Sequence, residues 1–367
     1  MSTDDLTMDK LFTVAAKHKA SDLHIKVGKP PLLRVQGAIR AIQMAPFTPE
    51  DTARLLLPIM SEDQKKHLDK LGGIDFAYQV PNLGRFRVNV YKQRGALSMA
   101  ARRVNIEIPT FEQLHLPPVM QKIASFQQGM IIIAGVTGSG KSTSLAAMLD
   151  YINETRGCHI VTIEDPIEYL MTDKKAFINQ REVGIDTPSF KVALKHVVRQ
   201  DPDVILVGEM RDEETFSAGL AAAETGHLVL GTLHSSSVSS TLGRILEFFP
   251  PSQHEQIRTS LVFNLRSIIC QKLLPSVHEG VSVVPACEVM IMSPILRKLI
   301  KDREDNRIIE AIRGGTEDGM VDFTESLRRL VSDGFIDMST ALEVAPNEEA
   351  LRMALKGIRI GSHGIIS

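Results

Sequence analysis

Gly135, four further residues, then Gly140, Lys141 and Ser142 reproduce the spacing G-x-x-x-x-G-K-[ST] within the run GVTGSGKST, Gly135 to Thr143. Each residue type answers a need of phosphate binding. Gly135, Gly138 and Gly140 permit a tight turn whose backbone N–H groups converge on phosphate oxygens, with Thr137, Ser139 and Thr143 completing the loop. Lys141 adds a point charge at the β- and γ-phosphates, and Ser142 offers a hydroxyl to Mg2+. Met130 to Ala134, just before, is too short for a membrane span and suits a buried strand. Leu145, Met148, Leu149 and Ile152 then recur as the stripe of an amphipathic helix, whose N-terminus points its partial positive charge at the same phosphates. A glycine-rich turn that merely precedes a lysine is the alternative, and the flanking strand and helix weigh against it. A nucleoside triphosphate is the implied ligand.

Hydrolysis needs a metal ion, an oriented water and positive charge over the transferring oxygens. Val204 to Glu209 resembles a Walker B strand, with Gly208 where Asp is commonest and Glu209 after it. Glu209 is the candidate for polarising the attacking water and for holding Mg2+ through its water shell. Glu164, at the end of a neighbouring strand, is placed to share that shell, while Glu168 either joins it or decorates a helix start. His227 and His234 flank an apolar strand seven residues apart, so a regular strand aims them at opposite faces. His234, at the carboxyl end, is the better γ-phosphate sensor. Arg85, Arg87, Arg94, Arg102 and Arg103 precede the phosphate loop and would ordinarily be a solvated strand face. In an oligomeric ATPase, a guanidinium from another domain neutralises transition-state charge. Arg85 and Arg87, which share a face, are the first candidates for that role, followed by Arg102.

Composition narrows the class. The 367 residues suffice for two or three domains, and 43% hydrophobic with 23% charged content is that of an ordinary globular protein. Lys plus Arg number 42 against 44 Asp plus Glu, so no strong field favours nucleic acid or an anionic membrane. The opening MSTDDLTMDK lacks the features of a signal peptide, and no apolar run reaches membrane length. Cys158, Cys270 and Cys287 are isolated, which suggests neither zinc nor a disulfide framework. A cytoplasmic chain is expected, reaching a membrane only through partners.

The elements that must position these residues fall into two domains. Residues 1–104 read as an α+β domain: helices at Leu6 to Lys19, Pro49 to Leu57 and Ser61 to Leu71, and strands at Ser21 to Ile25, Leu32 to Val35 and Ile74 to Tyr78. Gly84 to Gln93 alternates, with Phe86, Val88 and Val90 on one face, and Leu97 to Val104 would pair with it as a hairpin. Residues 105–118, with Pro109, Pro117 and Pro118, suggest an extended connector. From residue 119 strands alternate with helices, implying a parallel sheet with ligands at the strands' carboxyl ends. Thr172 to Pro188 reads as a looser segment. From about Val238 the chain reads as largely helical, including Gln253 to Cys270, with a strand-like interruption at Val281 to Met292. Ile295, Leu296, Leu299 and Ile300 form one apolar stripe that leaves Arg297, Lys298 and Lys301 outside it. The closing GIRIGSHGIIS shows no pattern.

Together, SDLH at Ser21, GVTGSGKST at Gly135, EDPIEY at Glu164, NQREVG at Asn179, RQDPDVILVGEMRDEET at Arg199 and ETGHLVLGTLH at Glu224 resemble the secretion ATPases of type IV pili, specifically the PilT/PilU branch. The resemblance covers nearly the whole chain. It implies an N-terminal PAS-like domain followed by a RecA-like ATPase domain, assembled as a homohexamer at the inner membrane. It implies ATP and Mg2+ as ligands and an inner-membrane pilus platform protein as partner, with no direct membrane insertion and no nucleic acid. The expected function is a motor that hydrolyses ATP to retract the pilus. An accessory ATPase coupled to a paralogous ring is the alternative, and a RecA-like nucleic-acid motor a more distant one. Extension and type II secretion ATPases usually carry paired Cys-x-x-Cys motifs, which this chain lacks. Asp201 before Pro202 is more like PilT than PilU, and Ile295 to Asp302 resembles a diverged copy of a helix of the retraction ATPases.

Overall fold

The computed structural model describes residues 6–35, 37–81, 83–104 and 107–357. The GSHGIIS tail, and Asn105 and Ile106 of the expected connector, lie outside the described residues. The chain divides into two compact units, Met1–Ile106 with Glu168–Leu170, and Glu107–Ile167 with Met171–Ser367.

The first unit holds α1 (Met8–Lys17), β1 (Asp22–Ile25), β2 (Leu32–Val35), β3 (Ala38–Ala41), α2 (Pro49–Leu56), α3 (Glu62–Leu71), β4 (Gly73–Val80), β5 (Gly84–Gln93) and β6 (Ala96–Arg103). The strands form one antiparallel sheet in the order β3-β2-β1-β6-β5-β4. Period-two alternation sets the faces of β5: Phe86, Val88 and Val90 are buried, whereas Arg87 on the opposite face is exposed. Phe12 of α1 stacks on Phe86 with ring centroids 4.2 Å apart, tying the helix to the buried face. Thr48 and Ser61 cap α2 and α3 through reciprocal capping boxes. The sequence reading lacks β3 because all four of its residues are exposed, leaving no buried-exposed alternation to detect.

The second unit contains α4 (Val119–Ala124), β7 (Gly129–Ala134), α5 (Lys141–Thr155), β8 (His159–Glu164), β9 (Phe177–Glu182), α6 (Phe190–Val197), β10 (Val204–Val207), α7 (Glu213–Glu224), β11 (Leu228–Leu233), α8 (Val238–Glu247), α9 (His254–Asn264), β12 (Leu265–Pro275), β13 (Val283–Ile291), α10 (Pro294–Lys301), α11 (Ile308–Gly314), α12 (Phe323–Ser332), α13 (Met338–Val344) and α14 (Glu348–Leu355). Its sheet runs β13-β12-β7-β11-β10-β8-β9, parallel except for the β12–β13 pair. Met130 to Ala134 of β7 are all 0% exposed at its centre. Burying each isoleucine side chain there is worth roughly 1.5–3 kcal/mol. The fold is thus an antiparallel α+β unit followed by an α/β unit with a mainly parallel sheet and a helical C-terminal region.

Four expectations change. The helix expected over Gln253 to Cys270 ends at Asn264, and β12 follows as the immediate neighbour of β7. Leu265, Ile268, Ile269 and Cys270 are buried, and a short run buried on both sides of a sheet carries no alternation to separate it from helix. The looser Thr172 to Pro188 segment contains β9, an edge strand paired with β8. Glu168 decorates no helix start; it lies in irregular chain between β8 and β9. Finally, residues 107–118 belong to the second unit, where Phe111 and Leu116 join the core instead of forming an extended connector. Thr110 and Gln113 brace the turn there by reciprocal side chain–backbone hydrogen bonds.

Candidate functional site

The run from β7 into α5 passes through a loop whose Gly138 and Gly140 have φ of 79° and 86°. That left-handed region strains any residue with a Cβ, so glycine is required at both turns. Lys141 and Ser142 open α5, and the Lys141 ammonium folds over the loop, donating to the carbonyls of Gly135 and Val136 at 2.8 and 2.9 Å. Thr137, Gly138 and Ser142 are exposed, so the concave side is open to a ligand. Ser139 is buried; its Oγ finds no hydrogen-bond partner among the described residues. Thr143 occupies the first turn of α5, half-buried.

Parallel pairing brings Glu164, Glu209 and His234 to the carboxyl edge of the sheet. Leu233 of β11 pairs with Ala134, and its carbonyl accepts the Gly135 N–H at 3.2 Å, so His234 follows directly beside the phosphate loop. Glu209 and His234 sit at the carboxyl ends of adjacent strands, with His234 Nε2 3.3 Å from Glu209 Oε1. Arg211 holds the other carboxylate oxygen at 2.7 Å, and this bond raises the pKa of the guanidinium further. Glu164, at the end of β8, accepts from Thr162 Oγ1 at 2.7 Å and Gln180 Nε2 at 3.1 Å. His227 does a separate job: its Nδ1 donates to the Ala222 carbonyl at 2.8 Å, closing the end of α7.

Gly208, where Asp is commonest, has a local cause. A Cβ there would lie 3.1 Å from the Ile163 carbonyl oxygen and 3.3 Å from Glu164 Cα. The Thr232 hydroxyl donates to the Gly208 carbonyl at 2.5 Å, and the Gly208 N–H donates to Ile163 at 2.8 Å, so three strand ends are locked together. Sequence reasoning missed Arg211 and Thr232; the signal available was their place beside Glu209 and on the strand leading to His234. It also missed Gln271 of β12, which contacts the loop from within the sheet.

The arginine candidates lie in the first unit. Arg85 and Arg87 share a face of β5, and Arg102 of β6 pairs across from Arg87. Arg102 Nε donates to Asp22 Oδ1 at 2.9 Å. Burial pulls the Asp22 carboxyl up, but hydrogen bonds from Ser21 and Arg102 outweigh it and leave the group below its ordinary value. Arg102 is thereby committed to an ion pair, whereas none is seen for Arg87 among the described residues.

On α10 the expected apolar stripe is narrower than the sequence suggests. Leu296, Leu299 and Ile300 are buried, but Ile295 is 60% exposed. Arg297 turns inward, donating to the Val262 carbonyl at 2.7 Å, and Lys298 and Lys301 remain exposed.

Known proteins place this architecture. The family described as type II/IV secretion system protein matches residues 96–330. The type IV pilus retraction ATPase PilT of Pseudomonas aeruginosa is 41% identical over 93% of this chain and 98% of its own length. PilU of the same organism is 39% identical over 96% of this chain and 92% of its own. The crystal structure of the pilus retraction motor PilT with bound ADP matches with TM-score 0.88 at 42% identity, covering 95% of this chain and 99% of that one. The phosphate loop at β7, the acidic strand ends beside it and these nearly end-to-end alignments agree: the chain belongs to the type II/IV secretion system protein family, in the branch that holds PilT and PilU.

Proposed function

We propose that this protein is an ATP-hydrolysing motor for type IV pilus retraction. The observation that carries the reading is the glycine loop of Gly135 to Ser142, set at the carboxyl end of β7 with Glu209 and His234 on the neighbouring strand ends. The loop N–H groups and Lys141 bind the phosphates. In hydrolysis, a water oxygen bonds to the γ-phosphorus as its bond to the β–γ bridging oxygen breaks. The electron pair leaves with ADP, and the water's proton passes to Glu209. His234 and Arg211 hold that carboxylate in one orientation.

Magnesium keeps most of its waters and takes few protein ligands beside substrate phosphates. The exposed Ser142 hydroxyl, with Glu209 and Glu164 acting through water, fits such a sparse set. Bound there, the ion would neutralise charge on the phosphates. Arg85 and Arg87, followed by Arg102, supply positive charge to a neighbouring subunit's site in a homohexamer. The ring works at the cytoplasmic side of the inner membrane on the pilus platform protein. No helix among the described residues is long and apolar enough to cross a membrane.

The near-equal likeness to PilT and PilU favours one second reading, an accessory ATPase that works with a paralogous ring. Steady-state ATPase activity of the purified chain alone supports the first reading over the second. Lys141→Ala is expected to abolish tight nucleotide binding, because the nest cannot replace the lost charge. Normal turnover by that variant would overturn the site. In cells, deletion is expected to leave excess pili and no twitching; normal twitching contradicts the retraction role.

A further inference from the structure

Gln271 is 3% exposed, and β12 inserts it against both ends of the phosphate loop. Its Nε2 donates to the Ser139 carbonyl at 2.7 Å, and its Oε1 accepts from the Ser144 hydroxyl at 2.8 Å. The Ser139 carbonyl can only accept, so the amide must turn its NH2 to the loop, and the Ser144 hydroxyl then donates to the oxygen on the other side and holds the amide in place. A Cβ on Gly140 would lie 2.7 Å from Gln271 Nε2, and one on Gly135 would lie 2.6 Å from the Gln271 carbonyl oxygen. Both motif glycines thus admit β12 at this range.

The carbonyl and N–H of one trans peptide point in opposite directions. By drawing the Ser139 carbonyl toward β12, Gln271 turns the N–H of the same peptide, carried by Gly140, the other way. Without that donor the peptide is free to rotate, and a carbonyl oxygen turned to a phosphate repels it.

We propose that Gln271 is a positioning residue for nucleotide binding, holding the Ser139–Gly140 peptide so that its N–H meets a phosphate oxygen, with Ser144 keeping the amide in place. This inference rests on the loop being the nucleotide site. Ser144 acts only through Gln271, so the two side chains form one unit rather than two independent contacts.

The test uses the full chain as wild type, Gln271→Met, Ser144→Ala and the double variant. ADP affinity is measured by calorimetric titration, with ATP KM, kcat and Tm measured alongside. Gln271→Met is expected to weaken ADP and raise KM about tenfold, the scale of one hydrogen bond, with kcat changed less. Ser144→Ala should shift affinity the same way by less, and the double variant should match Gln271→Met because the effects are not additive. A structural role alone would lower Tm without that pattern in affinity. Unchanged ADP affinity in Gln271→Met, or additive losses in the double variant, overturns the proposal. Should Gln271→Met fail to fold, Ser144→Ala decides: weakened ADP supports the positioning role and wild-type affinity overturns it. A wild-type chain that binds no ADP would instead sink the nucleotide site itself.

Discussion

Glu209 Oε1 and His234 Nε2 lie 3.3 Å apart, although 25 positions separate the residues in the chain. The parallel pairing of β10 with β11 creates that proximity, and Arg211 takes the carboxylate's other oxygen. Glu209→Gln keeps the shape and removes the base. We expect ATP affinity near wild type and hydrolysis slower by about 10²-fold or more. Single-turnover kinetics check it, and normal turnover with a dead Glu164→Gln would exchange the two roles.

The exposed face of β5 leads to a concentration-dependent expectation. Arg85→Ala and Arg87→Ala should lower hydrolysis only under conditions where the protein assembles, since a finger acts on a neighbour's site. Specific activity of the wild type should climb with protein concentration while both variants stay low. Arg102→Ala should matter less there, and because Arg102 is mostly exposed its ion pair with Asp22 contributes less than about 1 kcal/mol. Wild-type activity independent of assembly removes the case for fingers.

Gly208 offers a stability test. A Cβ at this position presses on the Ile163 carbonyl and Glu164 Cα, both backbone atoms that yield only if strands part. Gly208→Ala is expected to cost about 1–3 kcal/mol, and Gly208→Asp, despite restoring the commoner motif residue, no less. Urea titration measures it; a stable, active Gly208→Asp variant contradicts the packing argument.

Glu325 supplies a pH dependence. Hydrogen bonds from Arg328 and then Arg329 outweigh the opposing effect of burial and bring its carboxyl down to about 2 from an ordinary 4.5. A depressed folded-state pKa gives stability that is present above 4.5 and lost as pH falls toward 2. Glu325→Gln should therefore be less stable than wild type at neutral pH, with the difference shrinking through that acid window. Thermal melts of both proteins at several pH values check this, and a constant gap would argue against the ion-pair cluster.

Local chemistry made much of this protein legible without coordinates. The glycine spacing, the apolar run before it and the helical stripe after it are short-range features, so β7, the loop and α5 stand where the sequence places them. The alternation in β5 likewise assigned its buried and exposed faces, because a strand's period of two is intrinsic to the backbone. Tertiary structure decided what depends on partners distant in the chain. Leu265 to Cys270 of β12 read as helix until pairing with β7 on one side and β13 on the other makes them strand, and β9 shows itself only by pairing with β8. Ile295 fits an apolar stripe on paper yet stays exposed, while Arg297 turns inward to a carbonyl of α9. Gln271 is an ordinary glutamine in sequence; only the parallel register of β12 against β7 sets its amide beneath the phosphate loop. Spacing encodes contacts within one element, whereas strand order, and with it the surroundings of Glu209 and Gln271, is fixed by burial of the whole sheet.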